Sequence, residues 1–514
     1  MSEFLPTLGH HINGTGVFEG DVVERRNPAD NRQVVAQFYN GTSETMNYAV
    51  NSANEAFEKW ADTPPPLRGE VLLNAATMLN TEEFRKAFVE AMVAEIGKTK
   101  GGADGEVTKT IKILRYMAGL PTHTRDDAYH GDQPGVHMYS RSEPVGVAGL
   151  ITPFNFPLAV TVWKAAAALA AGCTVVIKPS PHAPMTSALI VELFKKAIEN
   201  ISALKNAQIG PGVINMVHGG PDVVQALVRN QIVQAVSFTG STPVGKEILR
   251  QAIMREGQPL DPRNFVAEMG GDNAILVLAD ANLRNAASAA VTGAFIGEGQ
   301  RCTATKRILV DERVAEDFLQ LFLEETRGLK VGPGADPSSD IGPLVTPQAI
   351  DVVMAAVRES IANGMMLLHG GEQLTEGDFA RGNFMLPTVL KGCPDNLGHR
   401  ALREEIFGPV VGFARVSGFE DGTRAVNDNP HRHVAGIFTQ DIDKAMEFAR
   451  RAKAGMVHVN NSTLGGDPQA PFGGLGGDTS FGPQEMGPGA MEPFLRHKTV
   501  GVNTSGKVLG GRAR

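Results

Sequence analysis

The feature that most limits what this chain can fold into is the alternation, between residues 145 and 270, of short apolar runs with longer segments of helical period. Run 145–151 precedes a helix expected over 158–171, and run 174–178 one over 185–198. Run 212–217 precedes a helix over 221–228, and run 233–238 one over 243–254. Short apolar strands separated by helices build βαβ units, whose parallel sheet carries helices on both faces. A second alternating region follows. It has a strand at 274–278, a long helix from Leu283, a strand at 307–310, a helix at 314–329, and later strands near 410–414 and 456–460. The expected fold class is therefore α/β, with two such domains in one chain. Between 44 and 120 the pattern is helical, with apolar residues three and four apart (Ala53, Phe57 and Trp60; Val71, Leu72, Ala75 and Leu79), and Pro64-Pro65-Pro66 marks a helix boundary. Segments 123–144 and 482–503 carry strand-like fragments without helices between them. They are either arms that pair across a subunit boundary or loops.

Composition excludes several classes. A chain of 514 residues with 42% hydrophobic and 20% charged residues is an ordinary globular composition with room for two or three domains. A net charge of −8 and the lack of any Lys/Arg run argue against nucleic acid as a partner. The start, Met1-Ser2-Glu3-Phe4-Leu5, is acidic and is not read as a signal peptide. The longest apolar stretch, 158–173, is interrupted by Thr161 and Lys164 and is too short to span a bilayer, so no membrane association is expected. Three cysteines (Cys173, Cys302, Cys393) suit a reducing, cytoplasmic location and leave a thiol for catalysis. His431-Arg432-His433 has no acidic or thiol neighbour and is expected to be a solvated loop; no metal site is expected.

The chemistry concentrates in a few segments. Gly299-Gln300-Arg301-Cys302-Thr303 sets a cysteine on a glycine-bounded turn, and Glu268-Met269-Gly270-Gly271 lies upstream. A thiol nucleophile needs a base, and an acyl intermediate needs a base to activate water; one glutamate can serve both steps. The competing reading makes Cys302 a buried small hydrophobe and Glu268 a surface charge. The strand at 233–238 ends in Thr239-Gly240-Ser241-Thr242-Pro243-Val244-Gly245-Lys246, where free backbone N–H groups would either cradle a phosphate or simply start a helix. Glu247 stands where a magnesium-binding Ser or Thr would follow the Lys, so an ATPase loop is disfavoured. No G-x-G-x-x-G separates a strand from a helix. Asn155, within Thr152-Pro153-Phe154-Asn155-Phe156-Pro157, either aims its amide at a developing oxyanion or caps the next helix. Lys178 closes a parallel strand, where such sheets bind ligands, or is merely solvated.

Six motifs in order make the chain resemble the aldehyde dehydrogenase superfamily, the non-acylating, NAD(P)-dependent enzymes. They are Pro153-Phe154-Asn155-Phe156-Pro157, Phe238-Thr239-Gly240-Ser241, Glu268-Met269-Gly270-Gly271, Gly299-Gln300-Arg301-Cys302, Glu405-Ile406-Phe407-Gly408-Pro409 and Pro471-Phe472-Gly473-Gly474. The resemblance runs from Arg26-Asn27-Pro28-Ala29 to His497-Lys498-Thr499-Val500. It implies a Rossmann-like cofactor domain (1–122 and 145–268), a catalytic α/β domain (269–475) and a small β oligomerisation arm (123–144 and 482–503), assembled as a homodimer or homotetramer. Cys302 is then expected to attack the aldehyde, with the Asn155 amide and the Cys302 backbone N–H holding the oxyanion, and Glu268 to activate water. Cofactor contacts are expected from Ile151, Thr152, Phe154, Lys178 (also counted with the catalytic group), Ser180, Gly240, Ser241, Glu405 and Phe407. Substrate contacts are expected from Trp163, Arg301 and Thr303.

Two positions depart from the pattern. NAD-preferring relatives place glutamate three residues after the strand-end lysine; Pro181 stands there, so NADP is admitted alongside NAD. Arg301 either clamps a substrate carboxylate or pairs with an acidic neighbour, and the expected substrate is an acidic semialdehyde or an aromatic aldehyde. The competing functions are a CoA-acylating aldehyde dehydrogenase, which generally lacks the glutamate base, a cofactor-independent thiol esterase or hydrolase, and a non-catalytic scaffold.

Overall fold

The computed structural model describes residues 5–123, 126–392 and 400–505. Cys393, the first four residues and part of the expected arm segment 123–144 lie outside them. Two large sheets dominate. The first has eight strands in the order Ser480–Phe481, Phe265–Glu268, Val233–Thr239, Val147–Ile151, Thr174–Lys178, Ile214–Met216, His10–Ile12 and Thr15–Val17. The middle five are parallel, flanked by antiparallel edges. From Val147–Ile151 the chain winds outward through Thr174–Lys178 and Ile214–Met216. It then returns to the other side with Val233–Thr239, so the winding reverses between two adjacent strands. At such a switch point the flanking loops diverge and leave a crevice at the carboxyl ends, the place where open α/β sheets bind ligands.

The second sheet has seven strands in the order Met366–His369, Thr388–Lys391, Val410–Val416, Thr305–Asp311, Asn273–Val277, Val434–Phe438 and Met456–Val459, parallel except at the first edge. Thus the α/β class holds, with two wound sheets. A separate antiparallel sheet joins Ala128–His130, Val136–Pro144 and Leu495–Asn503, with Leu495 opposite Pro144 and Asn503 opposite Val136. Most of its residues are partly or fully exposed. The amino-terminal strands, including the hairpin Asp21–Asn27/Asp30–Asn40, carry no clear alternation and were not anticipated. The strand expected at 212–217 shrinks to Ile214–Met216, because Pro211–Val213 forms a tight turn.

Of the four helices Ser43–Ala61, Pro65–Leu79, Glu82–Ile96 and Lys100–Gly119, the first packs on the first sheet and the other three pack on one another and on helices Ala159–Ala171 and Pro184–Glu199. Threonines before the first, third and fourth (Thr42, Thr81, Thr99) accept bonds from backbone N–H groups in the first turn. Helix Ala159–Ala171 is buried at every residue, and its alanines let the sheet and neighbouring helix approach closely. Its N-terminal N–H groups, at Leu158 and Ala159, are taken by the Glu106 carboxylate at 2.9 Å. That assignment removes one reading of Asn155, which does not cap this helix.

Candidate active site

The candidate site forms where the carboxyl end of the first sheet meets the amino edge of the second. Glu268 is the last residue of its strand, residues 269–272 make the crossing, and Asn273 opens the next strand. The Asn273 amide donates to the carbonyls of Cys302 (2.7 Å) and Ala304 (2.8 Å), and its oxygen accepts from Val434 N–H (2.9 Å). One side chain thereby pins the cysteine loop to the sheet. Gly271 sits so close to the Cys302 carbonyl that a β-carbon would collide with it.

Upstream of Cys302, Gly297, Glu298 and Gly299 all adopt left-handed φ, of 76°, 60° and 60°. Such backbone costs energy at a non-glycine residue and persists only when its surroundings hold it. Here the Glu298 carboxylate accepts from Gly342 N–H (2.9 Å). The buried Lys306 ammonium donates to the carbonyls of Gly299 and Gly408, both at 2.8 Å. The coiled loop presents a half-buried, unpaired Cys302 thiol. Burial first, then the charges of Glu405 and Glu268, push that thiol up to about 12, while Lys109 pulls it back. In this resting state the sulfur keeps its proton.

Glu268 is buried. Desolvation, and after it the nearby Glu485 charge, raise its carboxyl well above the ordinary range; Lys164 and the Gly474 backbone oppose the shift. Its Oε2 has no hydrogen-bond partner. The closest basic group is His433, whose Nδ1 lies 3.7 Å away. The expectation of a solvated loop at 431–433 is therefore corrected. His433 enters the strand Val434–Phe438 and packs its ring edge-on against Phe472 at 5.3 Å, and burial lowers its pKa to about 4.

Beneath Glu268 lies a charge network that sequence reasoning missed. Lys164 Nζ donates to Glu485 Oε1 (2.5 Å) and Ser237 Oγ (2.8 Å), and Trp163 Nε1 donates to Glu485 Oε2 (2.9 Å). The available signal was a lone lysine inside an alanine-rich helix, since a buried charge needs a partner. Trp163, expected at the substrate, is thus tied to Glu485 and packs against Phe472 at 5.2 Å.

Asn155 reaches across the seam. Its Nδ2 donates to the Gln300 carbonyl (3.0 Å), two residues before Cys302, and its Oδ1 accepts from Phe156 N–H (3.1 Å). An amide nitrogen carries two hydrogens, so one remains for another acceptor. Thr303 is buried in the same loop. The Arg301 guanidinium lies over the Phe156 ring, 5.1 Å from its centroid, with its Nε buried and unpartnered. Among the described residues it makes no ion pair, and Glu298 and Glu106 are its acidic electrostatic neighbours.

The crevice at the switch point gathers the other expected residues. Ile151 and Thr152 are buried at a strand end, and Phe154 packs edge-on against Phe407 at 6.0 Å and His182 at 5.7 Å. Lys178, 7% exposed, donates only to the Gly219 carbonyl (3.2 Å), and burial lowers its pKa to about 8. Ser180 accepts from His182 N–H at 3.3 Å, and Pro181 is exposed. Gly240 follows Val233–Thr239, and Ser241 stands exposed before helix Thr242–Ile253 without capping it through its side chain. Glu405 accepts from Gly271 N–H (3.0 Å), and desolvation raises it to about 7. A buried lysine with one carbonyl partner and a helix start without a side-chain cap, both at the carboxyl ends of strands in one sheet, are donors suited to ribose hydroxyls and phosphates. Among the described residues no group of three His, Cys, Asp or Glu could hold a metal, and no helix is long and apolar enough to cross a membrane.

A thiol, a buried carboxyl and an amide gathered at the meeting of the two sheets suit covalent chemistry on a carbonyl, and comparison with known proteins makes the chain an oxidoreductase acting on aldehydes. The family model for the Aldehyde dehydrogenase family matches residues 18–500, and the chain belongs to that family. Among its relatives, it is 35% identical to the alpha-ketoglutaric semialdehyde dehydrogenase of Bacillus subtilis, over 96% of this chain and 98% of that one. It is 36% identical to the 2,5-dioxopentanoate dehydrogenase of Saccharolobus solfataricus, over 97% and 99%. The crystal structure of betaine aldehyde dehydrogenase from Staphylococcus aureus in complex with NAD+ superposes with a TM-score of 0.89 at 28% identity, covering 98% of this chain and 96% of that one.

Proposed function

We propose that this enzyme oxidises an aldehyde bearing a carboxylate, a semialdehyde, to the corresponding dicarboxylic acid with NAD or NADP, through covalent intermediates on Cys302. The observation that carries the reading is the convergence of a half-buried Cys302 thiol with a buried Glu268 carboxyl that keeps one oxygen unpartnered. Cys302 Sγ attacks the aldehyde carbon, and the thiol proton leaves to a base. The remaining Asn155 amide hydrogen and the Cys302 backbone N–H stabilise the oxyanion, about 3 kcal/mol for each well-placed donor. The nicotinamide group, when bound, accepts the hydride lost from the thiohemiacetal carbon. Glu268 then takes a proton from water as that water attacks the thioester, releasing the acid and regenerating the thiol. Glu485, Lys164 and the Trp163 indole position Glu268 and set its proton affinity.

Lys178, Ser180, Gly240, Ser241, Glu405 and Phe407, with Ile151, Thr152 and Phe154, would hold the dinucleotide. Lys178 would meet the adenosine ribose, the helix start at Ser241 the pyrophosphate, and Glu405 the nicotinamide ribose. Pro181 in place of a carboxylate removes one group that would repel a 2′-phosphate, which supports use of NADP as well as NAD. Segments 1–122 and 145–268 would form the cofactor domain and 269–475 the catalytic domain. The exposed sheet in 123–144 and 482–503 would pair subunits in a homodimer or homotetramer, in the cytoplasm.

The relatives named for semialdehydes and the unpaired Arg301 favour an acidic substrate. An aromatic aldehyde is the second reading, supported by the 33% identity to a vanillin dehydrogenase of Pseudomonas fluorescens and by Phe156 and Trp163 near the thiol. A panel of 2,5-dioxopentanoate, vanillin and pentanal, assayed with NAD and NADP in parallel, decides between them. The acidic reading expects kcat/KM highest on 2,5-dioxopentanoate, with comparable values for the two cofactors. A best substrate without a carboxylate removes it, and activity confined to NAD removes the cofactor proposal.

A further inference from the structure

Helix Lys100–Gly119 carries a cation that no motif singles out. Lys109 is half-buried beside the site. Its Nζ lies 6.0 Å from the centroid of the Trp163 ring and 5.8 Å from that of Phe472, and both rings are buried. Among the described residues no carboxylate comes within ion-pair distance of it and it makes no hydrogen bond. Cys302 and Arg301 are among its electrostatic neighbours, as are Glu106 and the exposed Asp467.

The other acids around it are already committed. Glu106 pairs with Lys98 and caps helix Ala159–Ala171; Glu298 is bonded to Gly342 N–H; Glu485 is bonded to Lys164, Ser237 and Trp163. Two cations, Lys109 and Arg301, thus stand near the nucleophile without an ion pair among the described residues, with Glu106, Glu298 and the exposed Asp467 as more distant acids. Sequestering an ammonium without an anion costs free energy, and two aromatic faces recover about 1–2 kcal/mol of it at most. Both the charge and its position call for an anionic group on a ligand that also reaches Cys302.

We propose that Lys109 is a specificity-determining residue whose ammonium, lying over the adjoining rings of Trp163 and Phe472, binds the carboxylate of an aldehydic acid while its aldehyde carbon lies against Cys302 Sγ. The proposal rests on the acidic-substrate reading above and adds a residue to it. Arg301, in the nucleophile loop, would bind from the other side. A substrate lacking the carboxylate gains nothing from Lys109, so the residue selects acidic aldehydes by favouring them rather than by rejecting neutral ones.

The test compares wild type, Lys109→Met and Lys109→Arg on 2,5-dioxopentanoate and on pentanal, with melting temperatures and pH profiles for each variant. Lys109→Met should cut kcat/KM for 2,5-dioxopentanoate about 30-fold, mainly through KM, and leave pentanal within about twofold. Lys109→Arg should restore part of the loss. Binding of glutarate, measured by calorimetry without turnover, should weaken in parallel. Equal losses on both aldehydes, with an alkaline shift of the pH profile, would mean that Lys109 acts through the thiol and would overturn the proposal. Unchanged selectivity in Lys109→Met would overturn it too. If wild type itself shows no preference for 2,5-dioxopentanoate over pentanal, the acidic-substrate reading has failed, a result that the wild-type arm alone reveals.

Discussion

Two sets of buried charge lie on either side of the same helix-and-loop seam, and the fold treats them in opposite ways. Behind the seam, Lys164, Glu485, Ser237 and Trp163 form a closed network, with an ion pair of 2.5 Å. In front of it, Lys178 has one carbonyl partner, Arg301 and Lys109 have no ion pair among the described residues, and Glu268 keeps a bare oxygen. Such a closed network ties helix Ala159–Ala171 to strand Val233–Thr239 and to the segment carrying Glu485. Open ones leave valence for a ligand, and leaving a buried group unsatisfied costs about 1–3 kcal/mol or more unless something binds there. The difference separates architecture from chemistry without reference to any motif.

Substitutions on each side can break that division. The largest effect should come from Cys302→Ala, which removes the atom proposed to form the covalent bond. Aldehyde-dependent cofactor reduction should fall by about 10⁴-fold or more with the melting temperature unchanged. Glu268→Gln should lower steady-state kcat about 10³-fold while leaving a burst of cofactor reduction, because acylation precedes the water step. Since burial and Glu485 raise the Glu268 carboxyl, the ionised base is lost as pH falls through that raised value. Wild-type kcat should therefore decline toward acid at a pH above the usual carboxylate range, and stopped-flow and steady-state pH profiles would show it.

The closed side should answer differently. Lys164→Met leaves Glu485 buried without its cation and should cost about 3 kcal/mol of stability, read by denaturant unfolding. Adding Glu485→Leu should recover part of it. If Lys164→Met instead leaves stability intact, the division between the two sets is wrong. Asn155→Ala should lower kcat about 10²-fold with little effect on stability, as expected for one oxyanion donor. The smallest shift is expected for Lys178→Met, about a tenfold rise in the cofactor KM with kcat nearly unchanged, because the group binds far from the reacting carbon.

Much of this was legible in the chain. The alternation of runs announced two wound sheets, since strands buried on both faces must be apolar throughout. Residue types announced a thiol, a carboxylate and an amide. The rest was illegible for a definite reason. Lys164 and Glu485 are 321 positions apart, and His433 approaches Glu268 only because two separate strands end at one seam. Local pattern cannot register such pairs. The tripeptide His431-Arg432-His433 looks like solvated loop in isolation, yet its last residue is walled in by Phe472 and the second sheet. Likewise Lys109 looks like any polar position of an amphipathic helix until its ammonium comes to lie over Trp163 and Phe472.

By itself, the order of residues determined the alternation of strand and helix in both α/β regions and the chemical types gathered at the candidate site, because periodicity and side-chain chemistry are local properties. Which charges are matched and which stay open was decided only when the chain closed on itself. Electrostatic partnership depends on distance through space and on exclusion of water, and neither exists before the two sheets meet.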